Sequence, residues 1–215
     1  TQIIGPIDVS ENCNPKSDTV TCHRGIMLRM GMISTGEPVK WETSAKQDCN
    51  PGEVCQETLL YIEPAPGQKA LLAWSKGCSS PERQDAPAVT IHSNFPGVLV
   101  ASYARFCSSN MCNSASSSSV LLDSIHRPAP PPPGHLQCPA CVQFFGSCSG
   151  DSNIITCPSG TTHCYEGSID TQGGGLSATL SIQGCMPESS RSLLNKAQKI
   201  GIFSVNENFS EEETL

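Results

Sequence analysis

Apart from Cys13, six cysteines stand on each side of a proline run, and the two sets share a local order. On the amino-terminal side the chain reads Cys49-Asn50-Pro51-Gly52-Glu53-Val54-Cys55-Gln56-Glu57, and 22 residues, the last of them Gly77, separate Cys55 from Cys78. On the other side it reads Cys157-Pro158-Ser159-Gly160-Thr161-Thr162-His163-Cys164-Tyr165-Glu166, and 20 residues, the last of them Gly184, separate Cys164 from Cys185. Each set has a Pro/Gly turn between close cysteines, a glutamate two positions on, and a hairpin-sized interval ending in Gly-Cys. Agreement in this much detail is an internal repeat. The chain is therefore predicted to fold as two small modules, each stapled by its own cysteines.

Composition explains why staples are needed. Aromatic residues make up 5% of the 215 positions, and aromatic side chains supply much of the buried area in larger cores. Disulfides compensate at about 2–4 kcal/mol each. They persist only in oxidising surroundings, which points outside the cell or to its surface. The formal charge of −7, with basic residues scattered singly, argues against nucleic acid as a partner, because phosphate binding needs clustered Lys and Arg. It argues equally against a membrane-surface helix. No cofactor motif is present. No secretory signal opens the chain, no apolar run of about 20 residues occurs, and Glu211-Glu212-Glu213-Thr214-Leu215 is no lipid-anchor signal. A leader and an anchor are expected beyond this segment.

The clearest boundary is Arg127-Pro128-Ala129-Pro130-Pro131-Pro132-Pro133-Gly134, an extended spacer, preceded by Ser116–Ser119, which reads as exposed linker. The expected organisation is a first module over 15–113, a Ser/Pro-rich linker over 114–137, a second module over 138–210 and an acidic tail over 211–215. Both hairpin intervals look β-like. Leu176, Ala178, Leu180 and Ile182 alternate with Ser177, Thr179, Ser181 and Gln183 after the turn Gly173-Gly174-Gly175, the period of a half-buried strand. In the first module Pro64-Ala65-Pro66-Gly67 separates Thr58–Ile62 from Ala70–Ser75, and Val98–Phe106 reads as a further strand. Ser192–Gln198 is the one helical candidate. Residues 1–14 align without gaps with 197–210, sharing Gln2/Gln198, Ile4/Ile200, Gly5/Gly201, Val9/Val205, Glu11/Glu207 and Asn12/Asn208. The first 14 residues thus read as the tail strand of a preceding repeat. Cys13, opposite Phe209, is expected to lack a partner within this segment.

The spacing C-x2-C-x6-C-x8-C-x6-C-x20-C from Cys138 to Cys185, with Cys107-x4-Cys112-Asn113 closing the first set, allows many pairings by itself. It resembles the lymphocyte-antigen/urokinase-receptor (LU) domain family. That resemblance implies an all-β, disulfide-rich fold of two tandem three-finger (LU/snake-toxin-like) modules. It also implies the bridges Cys22–Cys55, Cys49–Cys78, Cys107–Cys112, Cys138–Cys164, Cys141–Cys148 and Cys157–Cys185. The first module lacks the family's early short bridge, and the second lacks its closing pair. Cys55-Gln56-Glu57-Thr58-Leu59-Leu60, Pro96-Gly97-Val98-Leu99-Val100-Ala101-Ser102-Tyr103 and Thr161-Thr162-His163-Cys164-Tyr165 are most similar to neutrophil members held by a glycosylphosphatidylinositol anchor. The resemblance therefore implies a non-enzymatic adhesion module on the outer face of the plasma membrane. The partners it implies are proteinase 3, platelet–endothelial cell adhesion molecule and leukocyte integrins. Sperm-surface relatives and soluble inhibitors of phospholipase A2 are the alternatives within the family.

Chemistry-bearing motifs are few. Cys138-Pro139-Ala140-Cys141 could bind zinc or exchange disulfides, but it lacks a second close pair or a strand-to-helix setting, so structural bridges are the better reading. His23, His92, His126, His135 and His163 accompany no Gly-x-Ser-x-Gly elbow. His126 and His135 flank the spacer and are expected to be solvated. Asn208-Phe209-Ser210 is a glycosylation sequon. Tyr61, Trp74, Phe144 and Phe145 are candidate partner contacts, since aromatics dominate protein–protein hot spots, alongside Trp41 and Phe95, which core packing also claims.

Overall fold

The structure is a computed structural model that describes residues 19–33, 37–81, 88–148 and 153–211. The proposed tail strand at 1–14, and Cys13 with it, lie outside the described residues. Thirteen strands and one short helix follow in order: β1 (Thr21–His23), β2 (Gly25–Gly31), β3 (Lys46–Asp48), β4 (Val54–Glu63), β5 (Ala70–Ser79), β6 (Ala88–Ser93), β7 (Leu99–Cys107), α1 (Ser119–Leu122), β8 (Pro133–Gln143), β9 (Asn153–Pro158), β10 (His163–Gly173), β11 (Leu176–Met186), β12 (Lys199–Ile200) and β13 (Phe203–Phe209). The first module pairs β1 with β3 and builds a five-stranded sheet in the order β2-β5-β4-β7-β6. The second forms one six-stranded sheet, β12-β13-β10-β11-β8-β9. All pairings are antiparallel.

The repeat in the sequence becomes a repeat in space. In each module a central hairpin (β4–β5, β10–β11) takes the closing strand (β7, β13) along one side. The other side is flanked by β2 in the first module and by β8, itself paired with β9, in the second. The Pro64–Gly67 and Gly173–Gly175 turns sit at the hairpin tips, where Gly67, Gly173, Gly174 and Gly175 adopt positive φ, a conformation that costs glycine nothing. Among the described residues there are six disulfides: Cys22–Cys55, Cys49–Cys78 and Cys107–Cys112 in the first module, Cys138–Cys164 and Cys157–Cys185 at the base of the second, and Cys141–Cys148 closing the loop after β8. These are the pairs that the family resemblance implies. Four of them span 26 to 33 residues, long enough for each to restrict the unfolded chain by about 2–4 kcal/mol.

Two apolar layers hold the molecule together. One lies between the sheets. Leu60, Ile62, Leu71, Ala73, Val98 and Val100 of the first module meet Val142, Ile169, Leu180, Ile182, Met186 and Phe203 of the second in a single buried cluster. Here the backbones approach closely. A methyl on Gly184 would lie 2.6 Å from Val98 Cγ2 and 2.7 Å from the Pro64 carbonyl oxygen. The modules are also hydrogen-bonded: Ser75 Oγ donates to the Gly174 carbonyl at 2.7 Å, and the Ile202 amide donates to Thr58 Oγ1 at 3.0 Å. The second layer covers the opposite face of the first sheet, where Leu59, Tyr61, Leu72, Trp74, Leu99 and Ala101 pack against Leu121, Leu122 and Ile125.

That second layer corrects the reading of the linker as exposed. Ser118 is fully buried, its hydroxyl accepts from the Val39 amide at 2.8 Å, and α1 presses Leu121 and Leu122 onto the sheet. The two leucines after the serine run drive this, because each removes an apolar side chain from water. From His126 to Pro130 the connection runs continuously exposed. His126 and His135 are both solvent-exposed. Arg127 fastens its start, pairing with Glu63 at 2.9 Å and lying 5.6 Å from the Phe95 ring centre.

The expected helix over Ser192–Gln198 is absent. Asn195 and Lys196 adopt positive φ, which ends a right-handed helix. The amides of Leu193 and Leu194 donate instead to the Glu207 carboxylate at 2.7 and 2.9 Å. The identities between 1–14 and 197–210 gain meaning here. Ile200 and Val205 are buried, Gly201 is wedged against Thr58 and Ala104, and Glu207 clamps the preceding turn.

Candidate functional site

Every cysteine among the described residues is engaged in a bridge. Cys138 bridges to Cys164 and Cys141 to Cys148, so Cys138-x2-Cys141 belongs to two separate staples. The sulfurs of Cys22, Cys49 and Cys78, and of Cys138, Cys157 and Cys185, crowd together, but each already has a sulfur partner and offers no thiolate to a metal. These clusters are the bases of the fingers.

Polar groups buried around the first hub do structural work that the sequence only partly announced. Glu57 and Lys76 are directly opposed on β4 and β5 and lie 3.7 Å apart with essentially no solvent exposure. The ammonium also donates to the Ala115 carbonyl and sits 5.4 and 5.2 Å from the ring centres of Trp41 and Trp74. The carboxylate accepts from the Ala115 amide at 3.1 Å and from the Tyr103 hydroxyl at 3.3 Å. Burial pushes the Glu57 carboxyl above the usual range, and the Lys76 charge only partly offsets it. Burial likewise draws Lys76 below its ordinary value, opposed by Glu57. Asn113, the family's terminal asparagine, is fully buried. It receives the His23 amide and donates to the carbonyls of His23 and Gln56, pinning β7's continuation across two fingers. Glu207 is the counterpart in the second module: beyond the two leucine amides it accepts from Tyr165 O–H at 2.7 Å. The signal for Glu207 was present as its identity with Glu11.

The candidate contact aromatics separate sharply. Trp74 and Tyr61 have no exposure at all and are withdrawn as partner contacts. Both side chains point from the first sheet toward α1, Tyr61 donating to the Ile33 carbonyl at 3.3 Å and Trp74 meeting Trp41 edge-on at 5.3 Å. Phe144 is half-buried against the shared core. Phe145 is 66% exposed on the loop after β8 and holds a positive φ of 50°, uncommon for a bulky residue. The other large apolar side chains open to solvent cluster on outer strands that periodicity alone does not single out. They are Ile26, Met30 and Met32 in and beside β2 and Val89 and Ile91 on β6, at the two edges of the first sheet, and Ile154 on β9, at an edge of the second.

The outer face of the second sheet differs in kind. β13, β10 and β11 present cross-strand rows of short polar side chains: Asn206, Asp170 and Thr179; Asn208, Ser168 and Ser181. Thr179 Oγ1 donates to Asp170 Oδ1 at 2.8 Å and Asn208 Nδ2 to Asp170 Oδ2 at 3.3 Å. Asn208 is exposed on this face. Among the described residues no helix is long and apolar enough to cross a membrane.

Comparison with known proteins accounts for this architecture. The u-PAR/Ly-6 domain profile matches twice, over residues 35–115 and 134–214. The chain is 53% identical over its whole length to the CD177 antigen of Mus musculus, of which it spans 26%. It is 38% identical to testis-expressed protein 101 of Cricetulus griseus, with 84% of this chain and 68% of that protein aligned. The crystal structure of mouse TEX101 superposes with a TM-score of 0.76 at 32% identity, covering 91% of this chain and all of that one. Two matched modules, six bridges and a relative of known structure agree: the chain belongs to the u-PAR/Ly-6 domain family, of which it carries two copies.

Proposed function

We propose that this chain is a non-enzymatic recognition unit of a cell-surface antigen, held outside the membrane by a glycosylphosphatidylinositol anchor on the parent protein. The observation that carries this reading is the single core shared by both modules, which fixes their sheets in one frame. Preorganised surfaces bind with less ordering cost than flexible ones. The similarity to CD177 antigen over the full chain supports a leukocyte setting, with proteinase 3, platelet–endothelial cell adhesion molecule and leukocyte integrins as partners. The apolar side chains on the edges of the first sheet, Ile26 and Met30 on β2 with Val89 and Ile91 on β6, are the surfaces offered to them. Similarity to testis-expressed protein 101 favours a germ-cell surface role as the second reading.

Surface plasmon resonance on the immobilised chain tests the proposal against each of the three partners. Saturable binding that weakens in Ile91→Glu or Met30→Glu supports it. Absence of binding to all three removes the leukocyte reading, and unchanged affinity in both variants removes the edge strands from it.

A further inference from the structure

We infer that the outer face of the second sheet is the seat of an N-linked glycan carried on Asn208, whose first sugars lie across the face toward Phe145. Its starting point is a shallow depression of about 410 Å³ lined by Asn208, Ser168, Ser181, Gln183 and Ser147. It runs into a second depression, lined by Phe145, Asp170 and Thr179, through the shared residues Ser147, Ser168 and Ser181. Both are open; the first is about evenly polar and apolar in its lining, the second mainly polar. Apolar ligands prefer enclosed, mostly apolar cavities, whereas a ligand that brings its own hydroxyl groups needs no dry enclosure. Short Ser, Thr and Asn side chains leave room for a ring to lie flat and exchange hydrogen bonds with them.

Two details point to an occupant. Gln183 is 91% buried in the floor, being 9% exposed, and its side-chain oxygen has no hydrogen-bond partner among the described residues; buried acceptors are seldom left so. Phe145, at the far rim, exposes its ring on a backbone held at positive φ. The face of an aromatic ring attracts the C–H groups of a sugar through its negative quadrupole. From Asn208 the row continues to Ser168 and Ser181, two inter-strand steps or about 9.5 Å, and Ser181 Oγ donates to the Gly146 carbonyl beside Phe145 at 2.6 Å. That is the reach of a disaccharide.

The sequon supplies the attachment. Asn208 is followed by Phe209 and Ser210, and both Asn208 and Ser210 are exposed. On modification Nδ2 loses one proton and bonds to C1 of the first N-acetylglucosamine, while the bond from C1 to the diphosphate of a lipid-linked donor breaks. One N–H remains on Nδ2, enough to keep the hydrogen bond to Asp170. A glycan so placed would cover this face and leave the edges of the first sheet as the open contact surface.

The test uses the chain secreted from mammalian cells. Peptide N-glycosidase should shift the wild-type protein to lower mass, and Ser210→Ala, which leaves the Asn208 side chain in place, should abolish the shift. Hydrogen exchange should then be slower at 166–168 and 181–183 in the intact glycoprotein than in the same protein trimmed by endoglycosidase to one sugar or in Ser210→Ala. Phe145→Ala should keep the glycan but lose part of that protection. An unmodified Asn208 overturns the inference. So does equal exchange in the intact and trimmed wild-type protein, a comparison that needs no variant to fold.

Discussion

The two modules share a plan but bury it differently. In the first, β4 and β5 are buried almost throughout, because the second module covers one face and α1 with its flanking loop covers the other. In the second, β10 and β11 alternate, with Ile169, Thr171, Leu180 and Ile182 inward and Asp170, Gln172, Ser177 and Thr179 outward. One repeat thus yields a strand pair enclosed like those of a parallel sheet and a strand pair with a wet side. The lesson is that the same disulfide hub accepts either arrangement. What decides is the covering each sheet acquires, and the first acquires its second cover from residues that look like linker.

The difference can be broken most severely at the enclosed charges. Glu57→Gln leaves the Lys76 ammonium buried with no countercharge, and urea unfolding should show a loss of about 3–5 kcal/mol. Pairing it with Lys76→Met should recover much of that, because both charges then leave together. Trp74→Ala should cost a similar 3–5 kcal/mol through the cavity it opens, whereas Thr179→Ala on the wet side of the second sheet should stay within about 0.5 kcal/mol. A smaller but more diagnostic change is Gly184→Ala. The added methyl meets Val98 and Pro64, so overpacking of about 1–3 kcal/mol is expected, and calorimetry should show the single melting transition broadening or dividing as the modules part.

The smallest effect concerns pH. Burial raises the Glu63 carboxyl above its ordinary 4.5, with Arg127 opposing it. Between 4.5 and that raised value the folded chain holds a proton that the unfolded chain has released, so this group's contribution to stability is greatest in acid and declines as pH rises through the window. Melting temperature should therefore fall less from pH 4.5 to neutral in Glu63→Gln than in the wild-type protein.

Much of this was written in the order of residues. The cysteine spacing and the resemblance it supports led to the bridges, and the alternation from Leu176 to Ile182 marked the half-buried strand correctly. The hairpin turns were legible because glycine and proline leave few other conformations. Three things were not legible. Ser116–Ser119 gave no sign of a packed helix, because its driving residues, Leu121 and Leu122, follow the serine run. Trp74 and Tyr61 looked like contact residues because a continuous apolar strand does not reveal that both its faces are covered. Ser192–Gln198 has helical composition, yet Glu207, more than ten residues away, takes its amides. In each case a distant partner overrode a local preference. The exposed face around Asn208 was visible only as a sequon, since the dish beside it is assembled from three strands and a loop.

The core shared between the sheets also bears on ancestry. A single module copied or deleted would uncover Leu60, Ile62, Leu71, Ala73, Val98 and Val100 or their counterparts, and the product would aggregate before it could be useful. Copying both together exposes nothing new. The smallest heritable block in such a lineage is therefore the pair, and its proteins should lengthen in even numbers of modules.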